Sequence, residues 1–111
     1  MKDEIDRLFS AVLEARDQNP AESKTAKLLS EGPGKMAKKV AEEAVEVALE
    51  AVVGDRQRTI EESADLLYNL TVLWAEIGIT PSDVWNEIAW RERTFGIAEK
   101  LPKNLQRSEG K

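Results

Sequence analysis

The chain has 111 residues, a net charge of −5, and neither cysteine nor histidine. This length predicts one domain, and the missing cysteines exclude disulfides, thiolate nucleophiles and cysteine-based zinc sites. The negative charge argues against binding to duplex nucleic acid. The longest apolar run, Val72–Ala75, is far shorter than the roughly 20 residues of a membrane span. No apolar stretch follows Met1 and Lys2, so we expect no signal peptide and a cytoplasmic location.

Helical periodicity begins near the amino terminus. Apolar residues at helical spacing predict an amphipathic helix over residues 3–16, and these are Ile5, Leu8, Phe9, Val12 and Leu13. A short helix is expected around residues 23–30. The Gly32-Pro33-Gly34 sequence then predicts a break in the chain.

The second half of the chain predicts three more helices. Two long ones run over residues 35–53 and 56–77, and each is followed by a glycine suited to the positive φ beyond a helix end. Thr80-Pro81 starts a last helix that reaches about Phe95. Strand patterns are absent, so we predict an all-α, antiparallel helical bundle. We expect residues 1–97 to form a single domain and residues 98–111 a loose tail.

Four carboxylates are placed symmetrically about the turn between the two long helices. Glu46 and Glu62 lie eight residues on either side of Gly54, and Glu43 and Asp65 lie eleven. At a rise of ~1.5 Å per residue, both pairs sit ~12–17 Å from the turn on opposite arms. Each pair also borders an apolar seam of its helix. The four acids are therefore expected to be level across an antiparallel hairpin.

An ordinary solvated helix face is the alternative explanation for these acids. Such a face usually pairs a glutamate with a base four residues later, yet Glu42, Glu46 and Glu50 are stacked with no base between residues 40 and 55. Converging carboxylates repel one another, and a bound divalent cation would remove the repulsion. Without histidine or cysteine, such a cation must be held by oxygen ligands, which favours Mg²⁺, Mn²⁺ or Ca²⁺.

Three stretches of the sequence resemble a known family. They are K-M-A-K-K-V-A-E-E-A-V-E-V from Lys35, the G-D-R that follows, and E-S-A-D-L-L-Y from Glu62. Together they resemble the phosphoribosyl-ATP pyrophosphohydrolases, which belong to an all-α superfamily of nucleotide pyrophosphohydrolases that includes MazG and dimeric dUTPases. The resemblance extends over roughly Ser23 to Lys100.

The resemblance implies a reaction, a cofactor and an assembly. The reaction is hydrolysis of phosphoribosyl-ATP to phosphoribosyl-AMP and pyrophosphate, the second step of histidine biosynthesis. The cofactor is Mg²⁺, with Mn²⁺ possible, held by the matching acids Glu43, Glu46, Glu62 and Asp65. The assembly is a homodimer, or a dimer of dimers, in which two chains complete one helical bundle; no nucleic acid or membrane is implied as a partner.

The remaining candidate residues surround these acids. Lys35, Lys38 and Lys39 could bind the phosphates of a polyphosphate substrate, or could form ion pairs with the acids of the next turn. Glu42 is a candidate base or outer ligand, with a surface glutamate as its alternative. Because the substrate loses pyrophosphate, water would attack the α-phosphorus. Either a carboxylate or the cation must activate this water.

Two positions depart from the family pattern. Asn69 stands where histidine is common, and Lys24 stands where tyrosine is common. Asn69 and Lys39 each lie fifteen residues from Gly54, so they are expected to be neighbours and Asn69 is a candidate substrate-binding residue. These departures keep open a related house-cleaning nucleoside triphosphate pyrophosphohydrolase. A non-catalytic helical dimer that serves as an adaptor is the alternative from another class.

Overall fold

All regular secondary structure in the computed structural model, which describes residues 3–96, is helical. This confirms the predicted all-α class. The helices are α1 (Glu4–Ala15), α2 (Lys24–Ser30), α3 (Pro33–Val53), α4 (Arg56–Ile77) and α5 (Pro81–Phe95). Across the described residues, every helix is too short or too polar to cross a membrane.

The chain divides after Pro81 into two units, so α5 is described by itself. Within α5, the rings of Trp90 and Phe95 meet edge to face with centroids 5.9 Å apart, and Arg91 is paired with Glu87 at 3.1 Å. A single domain over residues 1–97 stays a prediction. The predicted tail, residues 98–111, lies outside the described residues.

Local capping sets the ends of the two long helices. Gly54 and Gly78 adopt φ of 90° and 82°, as predicted from their positions beyond α3 and α4. In the turn between these helices, the N–H of Asp55 donates to the carbonyl of Glu50 at 3.1 Å, which closes the end of α3. The Asp55 side chain then accepts from the N–H of Arg58 at 3.0 Å and begins α4. One short turn therefore joins two antiparallel helices.

The start of α3 differs from the prediction. Gly32-Pro33-Gly34 was expected to break the chain, with the helix beginning at Lys35, but α3 begins at Pro33. Proline is well tolerated at the first helical position, because its fixed φ suits the helix and its missing N–H would have had no partner there. Gly32, at φ 94°, provides the change of direction instead.

The core lies at one end of the α3–α4 hairpin. Its buried apolar residues come from all four helices of the first unit, and they are Val12, Leu28, Met36, Val72 and Ala75. Met36, in the first turn of α3, is the one fully buried residue of that helix. α1 and α2 therefore cover the end of the hairpin farthest from its turn.

The other end of the hairpin is apolar but uncovered. On α3, Val45, Leu49 and Val52 are 55%, 56% and 87% exposed, and their spacing places them on one helix face. On α4, Ile60 and Leu67 are also exposed. An exposed apolar surface of this kind is typical of a site that another protein covers.

Candidate active site

Three of the four predicted metal ligands converge where α3 and α4 face each other. Glu43 from α3 meets Glu62 and Asp65 from α4, and one carboxylate oxygen of each lies within 4.8 Å of the others. The i, i+3 spacing of Glu62 and Asp65 places both on the same face of α4. The antiparallel hairpin then sets Glu43 opposite them.

Glu46 is the predicted ligand that the structure does not bring into this cluster. Its side chain is exposed and lines a separate cavity of about 290 Å³, together with Ala41, Glu42 and Val45. Glu46 lies about 60° around α3 from Glu43, toward the face that carries Glu42 and Val45. Glu62 and Asp65 are equally about 60° apart on α4, but both lie within reach of Glu43. Being level with Glu62 across the hairpin is therefore not sufficient for contact.

The pKa of the Glu43 carboxyl is raised above its ordinary value. Burial is the largest cause, followed by a hydrogen bond with Glu62 and by repulsion from Glu62 and Asp65. The nearby ammonium of Lys39 acts in the opposite direction. Glu43 Oε1 is buried with no hydrogen-bond partner among the described residues. The described residues therefore do not fully stabilise the negative charge of an ionised Glu43.

One base partly neutralises the cluster, contrary to the premise that the acids have no counter-ion. Arg58 lies 3.4 Å from Glu62 and 3.6 Å from Glu50, so it links the two helices near their turn. The sequence analysis looked for a base between residues 40 and 55, on α3, whereas Arg58 belongs to α4. Arg58 is about half exposed, so water screens these pairs and their contribution is small.

The raised pKa of Glu43 predicts how the stability of the cation-free protein depends on pH. The folded state holds the Glu43 proton more tightly than the unfolded state, so this group's stabilisation is complete below pH 4.5. It is lost as the pH rises through the raised pKa. We expect the free energy of unfolding, measured with urea and a chelator across this range, to fall less in Glu43→Gln than in the parent.

The matched control is Glu14→Gln, at an exposed position of α1. This variant should keep the pH dependence of the parent. Equal slopes of unfolding free energy against pH for the parent and Glu43→Gln would show that Glu43 titrates normally.

Glu43 and Asp65 line a cavity of about 760 Å³ that five lysines also line. Its α3 wall carries side chains at helical spacing, which places them on one face: Lys35, Lys38, Lys39, Glu42 and Glu43. The wall formed by α2 and its C-cap residue also carries side chains at helical spacing, and these are Lys24, Lys27, Leu28 and Glu31. Asp65, Tyr68 and Asn69 complete the lining from α4. The three predicted phosphate-binding lysines and the candidate base Glu42 thus share one cavity with Glu43 and Asp65.

Asn69 is buried, at 5% exposed, and a hydrogen bond determines the orientation of its amide. Its Nδ2 donates to the carbonyl of Asp65 at 2.9 Å, and a flipped amide would place two oxygens together. Oδ1 is buried with no partner among the described residues. Asn69 therefore lies beside the acids, and it lines the same cavity as Lys39.

Several residues of the cavity were missed by the sequence-based site. Lys24 and Lys27 follow the same i, i+3 spacing as the predicted lysines, and the buried Leu28 beside them could have indicated the inward face of α2. Tyr68 forms a hydrogen bond of 2.5 Å with Thr25 across 43 residues of sequence. No local pattern indicates such a contact, because it depends on how α2 docks against α4.

The cluster suits a hard divalent cation. All its candidate ligands are carboxylate oxygens, which Mg²⁺ and similar ions prefer. The buried Glu43 Oε1 without a partner is an atom that a cation would satisfy. Glu43, Glu62 and Asp65 could therefore hold a metal ion, with Arg58 and Lys39 at the edge of the site.

The helical hairpin, the acidic cluster and the lysine-lined cavity define an all-α protein whose cavity brings together carboxylates that could hold a cation and lysines that could bind an anion. The sequence profile of the phosphoribosyl-ATP pyrophosphohydrolases matches residues 7–92. The chain belongs to this family, which confirms both the resemblance and the enzyme class predicted from the sequence.

Named relatives share most of their length with this chain. Phosphoribosyl-ATP pyrophosphatase 2 of Rhodopseudomonas palustris is 62% identical over 104 residues, covering 94% of this chain and 79% of the relative. Phosphoribosyl-ATP pyrophosphatase 2 of Bradyrhizobium diazoefficiens is 59% identical over 107 residues, covering 96% and 80%. Phosphoribosyl-ATP pyrophosphatase of Azospirillum brasilense is 52% identical, covering 86% of each chain.

Proposed function

We propose that this chain, as a member of its family, hydrolyses phosphoribosyl-ATP to phosphoribosyl-AMP and pyrophosphate in the cavity between α2, α3 and α4. This is the second step of histidine biosynthesis, and we place it in the cytoplasm. The observation that carries the proposal is one cavity lined both by carboxylates of the acidic cluster, Glu43 and Asp65, and by five lysines. A triphosphate needs both features, because lysines bind its oxygens directly and carboxylates bind them only through a cation.

Glu43, Glu62 and Asp65 would hold the divalent cation, and we propose Mg²⁺, with Mn²⁺ able to replace it. When bound, the cation neutralises charge on the phosphate oxygens and polarises the phosphorus. Asp65 is exposed at the cavity and Glu43 is partly buried behind it, so the three acids offer ligands from two helices. Glu46 remains a predicted ligand with no place in this cluster.

The attacking group is water, and Glu42 is the proposed base. Glu42 lines the cavity next to Glu43, and its exposed carboxylate is free of the cluster. It would accept a proton as the water oxygen forms a bond to the α-phosphorus. The bond from the α-phosphorus to the bridging oxygen breaks, and pyrophosphate leaves with that electron pair. Lys35, Lys38 and Lys39 would hold the phosphates during this step, with Asn69 at the inner end of the cavity.

Pyrophosphate release from phosphoribosyl-ATP, measured against Mg²⁺ concentration, tests this function. We expect release that depends on the cation and is abolished by a chelator. In a paired measurement of thermal unfolding, the cation should stabilise the parent protein by about 2.7 kcal/mol at 100 times its dissociation constant. A variant with both Glu62→Gln and Asp65→Asn should show no such rise. An equal rise in the variant would place the cation elsewhere.

Hydrolysis of another nucleoside triphosphate is the second candidate function. Lys24 and Asn69 depart from the family pattern and both line the cavity, so they favour keeping this alternative. Assays with dUTP and the common triphosphates would separate the two functions. A clear preference for one of those nucleotides over phosphoribosyl-ATP would support the second candidate.

We also propose that two copies of the chain pair through the exposed apolar end of the hairpin. Val45, Leu49 and Val52 continue the helix face that carries Ala41, and Glu46 lies at its edge. A second hairpin offers the same apolar surface, so a two-fold pairing would cover both at once. The family resemblance implies such a dimer as well.

A further inference from the structure

The lysines of the cavity come from two helices, α2 and α3. Lys35, Lys38 and Lys39 belong to α3, and Lys39 lies one helical turn before the cluster residue Glu43. Lys24 and Lys27 belong to a different helix, α2, across the cavity. Phosphates held at the acidic cluster would meet Lys38 and Lys39 first. The α2 lysines are therefore available for another anion.

The α2 lysines are also poorly neutralised. Lys27 is 3.7 Å from Glu31 in an exposed pair, which contributes little. Within residues 3–96, no ion pair engages Lys24. In a chain with a net charge of −5, two such cations that line one cavity from a seven-residue helix are a local concentration of positive charge.

The backbone of α2 at Lys24 is held in place by the next residue in the sequence. Thr25 shares a hydrogen bond of 2.5 Å with Tyr68, which itself lines the cavity from α4. Leu28, on the same face as Lys24, is buried in the core. These contacts hold α2 against the cavity, so its lysines are presented from a defined wall rather than from a free loop.

The substrate carries phosphate at both of its ends. Its reacting triphosphate is at one end, and the phosphoribosyl group attached to ATP carries a monophosphate at the other. With the triphosphate at the acidic cluster, the monophosphate needs cations at a separate place. A cavity of about 760 Å³ is large enough for an extended ligand of this kind.

Resting on the proposed function, we propose that Lys24 and Lys27 form a second anion subsite, which binds the phosphate of the phosphoribosyl group. This group distinguishes phosphoribosyl-ATP from ATP. The α2 subsite, defined by Lys24 and Lys27, therefore determines substrate specificity, whereas the acidic cluster serves the reaction.

Product binding tests the subsite without any catalytic step. Phosphoribosyl-AMP and AMP differ only in the phosphoribosyl group, and neither carries the triphosphate. By calorimetry without metal, the parent should bind phosphoribosyl-AMP at least about tenfold more tightly than AMP. Lys24→Gln should lose most of this preference while its affinity for AMP stays the same. Lys24→Arg, which keeps the charge, should retain it.

The matched control is Arg56→Gln, which removes one positive charge at an exposed position outside the cavity. It should leave the preference for phosphoribosyl-AMP unchanged. Equal binding of the two products by the parent would overturn the subsite. So would an equal loss for both products in Lys24→Gln, because the lysine would then serve the shared nucleotide.

The same proteins separate this proposal from the proposed function. Failure of the parent to release pyrophosphate from phosphoribosyl-ATP would refute the reaction, whatever the products bind. Normal release together with equal product affinities would refute only the α2 subsite.

Discussion

Replacing Asp65 with asparagine should lower the rate of phosphoribosyl-ATP hydrolysis at saturating Mg²⁺ by at least about 100-fold. The change removes one carboxylate from a three-residue cluster and leaves the charge of the phosphates less neutralised. The backbone carbonyl of Asp65, which accepts from Asn69, is unaffected. The cation-free variant should be as stable as the parent or more stable by roughly 1 kcal/mol at most, because repulsion with Glu43 is relieved.

Two measurements on each protein decide the role of Asp65: initial rates and unfolding in a chelator. Asp17→Asn, at an exposed position after α1, is the matched control and should change neither. If Asp65→Asn unfolds the cation-free protein, Asp65 is a structural residue. If the rate stays within a few-fold of the parent, the cation is held by other groups.

Placing a lysine at Leu49 should separate the proposed dimer into monomers. Leu49 is 56% exposed in the middle of the apolar face of α3, and a second copy would bury it. Two-fold pairing would bury one added charge from each chain without a partner, which is costly. We expect the dissociation constant, measured by sedimentation, to rise at least about 100-fold.

Ile77→Lys provides the control for this effect. Ile77 is 53% exposed but lies at the end of α4 far from the hairpin turn. This variant should remain a dimer at micromolar concentration. A parent protein that sediments as a folded monomer under the same conditions would refute the dimer.

The helices were predictable because their signals are local. The glycines after α3 and α4, and the apolar spacing of α1, each report the conformation of a few neighbouring residues. The start of α3 was wrong by two residues because proline after glycine fits both a break and a first helical turn. No local signal predicts which end of the hairpin α1 and α2 cover. This coverage depends on how α1 and α2 dock around Met36.

The site was predictable to the extent that one hairpin builds it. Symmetry about Gly54 correctly indicated that Glu43 would face Asp65, since antiparallel helices fix which residues are level. The same symmetry paired Glu46 with Glu62. Residues that are level along two helices need not point toward each other, and Glu46 lies instead beside Ala41 and Val45. Lys24 and Lys27 come from α2, whose approach to the cavity depends on the distant pair Thr25 and Tyr68.

The shortness of α2 gives the cavity walls unequal local stability. A helix of seven residues is unstable by itself in water, so α2 depends on the burial of Ala26 and Leu28 and on the bond between Thr25 and Tyr68. The walls from α3 and α4 belong to helices of 21 and 22 residues that support each other directly. Partial unfolding limited to α2 would therefore open the cavity while Glu43, Glu62 and Asp65 stay assembled between α3 and α4.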